Sequence, residues 1–346
     1  MITIKKIAEE AGVSPTTVSN VLYGRTQKVS PDTVKRVQTL LDDHNYIPRL
    51  GLNALTNRKS KMIGVLINTP EFMERTPFEK PFYGYVVGTL EKVFREEGYY
   101  LMICSAKDMQ EIMRMVLGWN VDGVITVSMP GKYYQQTKEM TGKPVVSIDM
   151  DVEDVEKIAD CYNVTSKDFE AGANMMRYLL KNGVENVIYI ANTKMGVDYK
   201  RYQGADSVYK EYFGSEKELK RELLGRTSTE RKHLYNQLAK YRGENTALFF
   251  STDLNAVEAI GFFNEKGIVV PDEISVVGCD DEIYAQLSAP RLTTMRVESI
   301  KKAELAADML LRLIDGENVK KKRKEIDVRL IERESVRHKG HETIRN

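Results

Sequence analysis

From Met62 onward the chain alternates short β-rich runs with longer amphipathic helical stretches, and no other feature limits its possible folds as tightly. The strand candidates are Met62–Asn68, Tyr100–Cys104, Gly123–Val127, Val145–Asp149, Val187–Ala191, Ala247–Ser251 and Ile274–Gly278. Between several of them lie helix candidates such as Tyr83–Glu97, Asp168–Lys181, Asn255–Glu265 and Ile300–Ile314. Strand–helix alternation implies parallel sheets joined by right-handed crossovers. One sheet does not comfortably hold so many strands, and the pattern restarts after Asp149–Tyr162, which predicts two similar lobes with a cleft between them. Ligands of open α/β sheets bind beyond the carboxyl ends of the strands. That rule puts Thr252, Asp253 and Asp280, each following a strand run, at the cleft.

The segment before Met62 is of another kind. Ile4, Ile7, Ala8 and Ala11 recur on one helical face, and Gly12 stops that helix. Ser14-Pro15 and Ser30-Pro31 each set a capping Ser before a Pro at the first helical position, where no amide is needed. Val18, Val21 and Leu22 face inward on the second helix, and Val34, Val37, Leu40 and Leu41 on the third. Two short helices joined through Ala11-Gly12-Val13-Ser14 form a helix-turn-helix, whose second helix enters the major groove N-terminus first. Its outward residues Pro15, Thr16, Ser19 and Asn20 are short and polar or flat, as a surface approaching base edges requires. Residues 1–61 hold ten Lys/Arg against five Asp/Glu, a net of +5, while the rest carries 41 against 45. A basic head on a mildly acidic body points to a polyanion as the head's partner.

The stretch Thr3-Ile4-Lys5-Lys6-Ile7-Ala8-Glu9-Glu10-Ala11-Gly12-Val13-Ser14-Pro15-Thr16-Thr17-Val18-Ser19 resembles the head of the lactose-repressor family of bacterial transcription regulators. Val29-Ser30-Pro31-Asp32-Thr33 and Asn45-Tyr46-Ile47-Pro48 continue the match in register. In the body, Val121-Asp122-Gly123-Val124-Ile125, Pro144-Val145-Val146-Ser147-Ile148-Asp149, Pro271–Asp281, Pro290-Arg291-Leu292-Thr293-Thr294 and Leu330–Ser335 are similar to family landmarks, so the resemblance runs from about residue 3 to 336. It implies an α/β chain with a three-helix head (1–47), a hinge (48–61), a two-lobed periplasmic-binding-protein-like body (62–336) and a tail (337–346). The lobes are expected at about 62–160 plus 292–320 and at about 161–291 plus 321–336.

The resemblance also implies roles. The expected DNA-contact set is Pro15, Thr16, Thr17, Ser19, Asn20, Tyr46, Asn53 and Leu55, with Leu55 at the position that wedges into the minor groove. The effector set is Phe82, Tyr83, Arg201, Thr252, Asp253 and Asp280: a guanidinium and a carboxylate suited to sugar hydroxyls or a small polar metabolite, with the aromatics as an apolar wall. Two departures stand out. Leu52-Asn53 after Gly51 replaces the usual Ala-Arg, and a Gly costs a short helix about 0.5–1 kcal/mol relative to Ala. Cys279 and Thr252 replace the usual aromatic and Asn beside the effector, so the ligand is not inherited from a known relative.

Composition narrows the alternatives. Three widely spaced cysteines with no CxxC pair support neither a disulfide framework nor a zinc ribbon. The N-terminus has no long apolar segment, and the apolar runs are too short to cross a bilayer, so a cytoplasmic protein, nucleoid-associated when bound, with no membrane partner is expected. No phosphate loop, GxGxxG, HExxH or GxSxG motif is present. The pairs Asp149/Asp151, Asp280/Asp281 and His338/His341 lack the partners that catalysis or a metal requires, which predicts no enzyme, no cofactor and no metal. About ten residues follow Ser335 without a leucine heptad, so a homodimer is expected. The function expected is a ligand-responsive repressor of a double-stranded operator. The alternative is a cytoplasmic sugar-binding or sugar-modifying protein sharing the body.

Overall fold

The computed structural model describes residues 2–338 except 23, 45, 47–58, 69–75, 107–108 and 151–155. The chain divides into two compact units, Met1–Arg58 and Lys59–Asn346.

The first unit holds α1 (Ile4–Ala11), α2 (Pro15–Leu22) and α3 (Pro31–Asp43). Local chemistry starts and stops each helix. Thr3 caps α1 by accepting the Lys6 amide, and Gly12 ends it at φ +62°, a left-handed conformation that glycine adopts without cost. Ser14 accepts the Thr17 amide at 3.1 Å, and Ser30 accepts that of Thr33 at 3.3 Å with Pro31 at the first turn. Ile7, Ala8, Ala11, Val18, Val21, Val37 and Leu41 form the buried centre. His44 meets Glu10 at 2.6 Å and ties the end of α3 to α1. The hinge residues Gly51, Leu52, Asn53 and Leu55 lie outside the described residues.

The second unit carries β1 (Met62–Asn68), α4 (Pro81–Glu96), β2 (Tyr100–Ala106), α5 (Met109–Gly118), β3 (Gly123–Val127), α6 (Gly131–Thr141), β4 (Val145–Ile148), β5 (Asn163–Ser166), α7 (Asp168–Lys181), β6 (Asn186–Ala191), α8 (Gly196–Phe213) and β7 (Lys220–Leu223). It continues with α9 (Ser228–Leu238), β8 (Thr246–Phe250), α10 (Asp253–Glu265), β9 (Ser275–Asp280), α11 (Ile283–Leu287), β10 (Thr293–Arg296), α12 (Ser299–Ile314), β11 (Arg323–Ile326) and β12 (Arg329–Ile331). Two six-stranded sheets result, in the orders β11-β5-β4-β3-β1-β2 and β12-β10-β9-β8-β6-β7. Among the described residues all pairings are parallel except β10 with β12. Strands β3, β4, β5 and β8 are buried at every residue, as strands covered on both faces by helices must be. Each sheet has an apolar core on either side, and Cys104, Cys161 and Cys279 are buried free thiols.

Sheet membership corrects the expected lobe limits by several residues. β5 and β11 pair with each other in the first sheet, whereas β10 and β12 pair in the second. The chain therefore crosses between lobes at Lys167, again at residues 297–298, and a third time at residues 327–328. Hydrophobic alternation marks where strands are, but not which neighbour each will pair with, so the crossings were not visible in it. The expected hinge also ends too late. The amides of Ser60 and Lys61 each donate to the Asp122 carboxylate at 2.9 Å, which anchors these residues in the body.

Candidate functional site

In the head, α2 presents Pro15 and Thr16 exposed and Ser19 and Asn20 half-buried, on the side away from Val18 and Val21. Thr17 is partly withdrawn, because its hydroxyl shares a 2.9 Å hydrogen bond with the capping Ser14. Tyr46 packs its ring against the head core and is only half-exposed. Asn53 and Leu55 fall outside the described residues.

In the body, a cavity of about 510 Å³ opens where the strands of both lobes end. The first lobe supplies Phe82 and Tyr83 from the start of α4, Ser128 to Pro130 after β3, Asp149 after β4 and Lys302 from α12. The second supplies Asn192 and Thr193 after β6, Arg201 from α8, Thr252 after β8, Asp280 at the end of β9, and Glu282.

Arg201 is placed by an unusually close helix contact. A Cβ on Gly172 of α7 would lie 1.8 Å from the Arg201 carbonyl oxygen, and one on Gly204 of α8 would lie 1.9 Å from that of Phe169. Only glycine allows this approach, which sets the guanidinium beside the first residue of α7. There Nε donates to Asp168 at 2.8 Å, Nη1 to the Ser251 carbonyl at 2.6 Å, and Nη2 meets Asp280 at 3.0 Å. Arg201 is 3% exposed, so these three partners compensate a desolvated charge.

The opposite lobe has its own pair. Lys302, 1% exposed, donates to Asp149 at 2.6 Å, and the Thr165 hydroxyl donates to the other carboxylate oxygen at 3.0 Å. The Lys302 ammonium lies 5.2 Å from the centroid of the Phe82 ring, which meets Tyr83 edge-on. Asp149 and Asp280 both have positive φ, +55° and +123°, a strain of about 1–3 kcal/mol for a residue with a Cβ. Such strain concentrates at binding sites because surrounding structure must hold it.

Asp253 is the one expected cavity residue that does not line it. It opens α10 fully buried and turns back toward the sheet, accepting the Thr294 hydroxyl at 2.6 Å and the Glu282 amide at 2.8 Å. Its role is to hold the loop that carries Asp280 and Glu282. Burial pushes its carboxyl up to about 7, with nearby Asp280 adding to the effect. Burial likewise raises Asp280 to about 6, outweighing the pull of Arg201 and Lys302, and raises Glu282 to about 8, with Asp280 and Asp253 contributing.

Lys302 and Glu282 are among the lining residues that sequence reading does not single out. Lys302 sits four positions before Ala306 on the buried stripe of its helix, and a cation on an apolar stripe was the available signal. Glu282 follows Asp280-Asp281 as a third consecutive acid, a run that ordinarily reads as a solvated loop.

Comparison with known proteins agrees with both halves of this arrangement. Residues 3–49 match the model for bacterial regulatory proteins of the lacI family, and residues 176–336 match a periplasmic binding protein-like domain. The HTH-type transcriptional repressor PurR of Mannheimia succiniciproducens is 29% identical over 349 residues, covering 97% of this chain and 99% of that protein. The chain thus pairs a lacI-family head with a periplasmic-binding-protein-like body. The repressor of the same name from Actinobacillus pleuropneumoniae is 28% identical, covering 98% of this chain and 99% of the relative. Among solved structures, the Lac repressor dimer bound to operator and the anti-inducer ONPF has the same fold, with TM-score 0.79 at 20% identity over 96% of this chain and 98% of that one. The transcriptional regulator CelR in complex with cellobiose gives TM-score 0.70 at 22% identity, covering 97% and 100%. Together these matches support a ligand-responsive, DNA-binding transcription regulator. No described helix is long and apolar enough to cross a membrane.

Proposed function

We propose that the chain is a cytoplasmic repressor that binds a near-palindromic operator as a homodimer and answers to a small, sugar-like metabolite held in the body. The observation that carries this reading is the cavity: a ligand-sized space bounded by buried, paired charges from both lobes, in a chain whose head exposes a short polar helix. A ligand that touches both lobes favours the lobe spacing it fits best, and its differential affinity is what changes the affinity for DNA. The relatives' standing as repressors supports the sign of control. Thr16, Ser19 and Asn20 are the base-reading residues, with Asn20 able to form a bidentate pair with adenine, and Pro15 meets a thymine methyl. Leu55 acts as the minor-groove wedge.

Selection from random duplex DNA by the full-length protein tests this, followed by binding to the winner across a salt series. The expected winner is near-palindromic and loses less affinity with salt than random DNA does. Asn20→Ala is expected to cost about 1–3 kcal/mol at one symmetric pair of base positions and to spare non-specific binding. Selection that enriches nothing, with and without a metabolite extract, would remove the reading.

A further inference from the structure

The charges around the cavity do not balance. Asp149, Asp198, Asp280 and Glu282 line it, with Asp168 directly behind Arg201, against Arg201, Lys302 and Lys80. Both buried cations are already engaged: Arg201 by Asp168 and Asp280, Lys302 by Asp149. Asp198 accepts the amides of Asn192 and Thr193 at 3.0 and 3.1 Å, both on Oδ2.

Asp280 and Glu282, neighbours at the end of β9, each have an oxygen left. Asp280 uses one oxygen on Arg201, and Glu282 uses one on the Phe82 amide at 3.0 Å. Among the described residues neither second oxygen receives a hydrogen bond, although Glu282 is only 5% exposed and lines the cavity. Neither is among the described polar atoms that are sealed in without a partner, so both face the cavity and can take a donor from a ligand. Burial, and after it the charges of neighbouring acids, raises the carboxyls of Asp253, Asp280 and Glu282. Beyond the half-buried Lys80, a carboxylate or phosphate on a ligand would have to displace Asp280 from Arg201 or Asp149 from Lys302 to reach a buried cation. An ammonium group displaces neither ion pair and adds a positive charge beside the clustered acids.

We propose that the cavity is built for a ligand bearing a protonated amine, lodged between Asp280 and Glu282. This deepens the effector reading above and rests on it. The position also gives the amine a route to the lobes. Glu282 belongs to the second lobe, while the Phe82 amide it holds opens α4 of the first. A cation on the second oxygen keeps that carboxylate ionised, and an ionised acceptor at a helix N-terminus is the stronger partner. Filling the site therefore tightens the contact between the lobes.

Hydrogen exchange of the full-length protein tests this with methylammonium chloride as the probe, against equal concentrations of sodium chloride and sodium acetate. Methylammonium is expected to slow exchange of the Phe82 amide several-fold while leaving β1 amides unchanged, and Glu282→Gln and Asp280→Asn are each expected to remove most of the effect. Failure of methylammonium to slow the Phe82 amide would overturn the proposal. So would equal protection by acetate, or full protection retained in Glu282→Gln. Acetate protection would leave an effector cavity of the opposite charge preference, so the effector reading would survive it. That reading itself stands or falls on the operator selection, which needs no amine.

Discussion

The two lobes of the body share a strand order, yet they solve the same electrostatic problem differently. Asp149 follows the third strand of the first sheet as Asp280 ends the third strand of the second, and both have positive φ. In the first lobe one lysine answers one carboxylate, with a threonine hydroxyl on the free oxygen. In the second, one arginine serves two carboxylates and a carbonyl, while Asp253 and Glu282 crowd behind and beside them. The first centre is a closed pair; the second has acid to spare. A duplicated fold thus supplies equivalent positions at the ends of strands, and side chains decide which half holds a ligand's charge.

Removing each cation is the strongest way to break this comparison. Arg201→Leu should leave Asp168 and Asp280 buried and unpaired, with the Ser251 carbonyl also unmet. A loss of about 5 kcal/mol in chemical denaturation of the body is expected. Lys302→Met strands only Asp149, which keeps its threonine donor, and should cost about 3 kcal/mol. Equal losses in the two variants would show that the lobes are balanced alike.

The helix contact beneath Arg201 offers a subtler probe. Gly172→Ala forces a methyl against the Arg201 backbone, which should separate α7 from α8 at a cost of about 2 kcal/mol. Denaturation should report that loss, and crystallography should show Arg201 displaced from Asp168. A retained Arg201–Asp168 bond would mean that the guanidinium is held by its partners and not by the helix approach.

The smallest expected effect is on pH dependence. Asp253, Asp280 and Glu282 all have carboxyls raised by burial and by one another, with Lys80 and the Phe82 amide opposing this at Glu282. A carboxyl raised on folding binds its proton more tightly in the folded chain. Its stabilising contribution is complete below the ordinary carboxyl range near 4 and is lost as pH rises through about 6 to 8. The body should therefore unfold more readily at pH 9 than at pH 6. Glu282→Gln removes one such group and should recover about 1 kcal/mol at the higher pH. A flat profile in the parent protein would show that these carboxyls titrate normally.

Much of this was legible in residues. The Ser-Pro starts, Gly12 and the valine faces specified the head because helix boundaries depend on nearest neighbours in sequence. The strand runs and several helix limits followed from periodicity, and α7 was delimited to the residue. Arg201, Phe82, Tyr83, Thr252 and Asp280 came through as cavity residues, the first by resemblance and the last two by the strand-end rule. Asp253 shows where that rule stops: it has the right position along the chain, but its side chain turns toward Thr294 and the sheet. Lys302 and Glu282 were hidden for a related reason, since each gains its meaning from a partner 153 or 200 residues away.

By itself the sequence determined the kind of pieces: a capped three-helix head, parallel strands with covering helices, and a restart that makes two lobes. These depend on local turns, caps and periodic burial, which act within a few residues. Only the tertiary structure decided which strands share a sheet, where the chain crosses between lobes, and which charges meet in the cavity. Those depend on close packing between distant segments, and burial there turns an ordinary lysine or glutamate into a group that must find a partner.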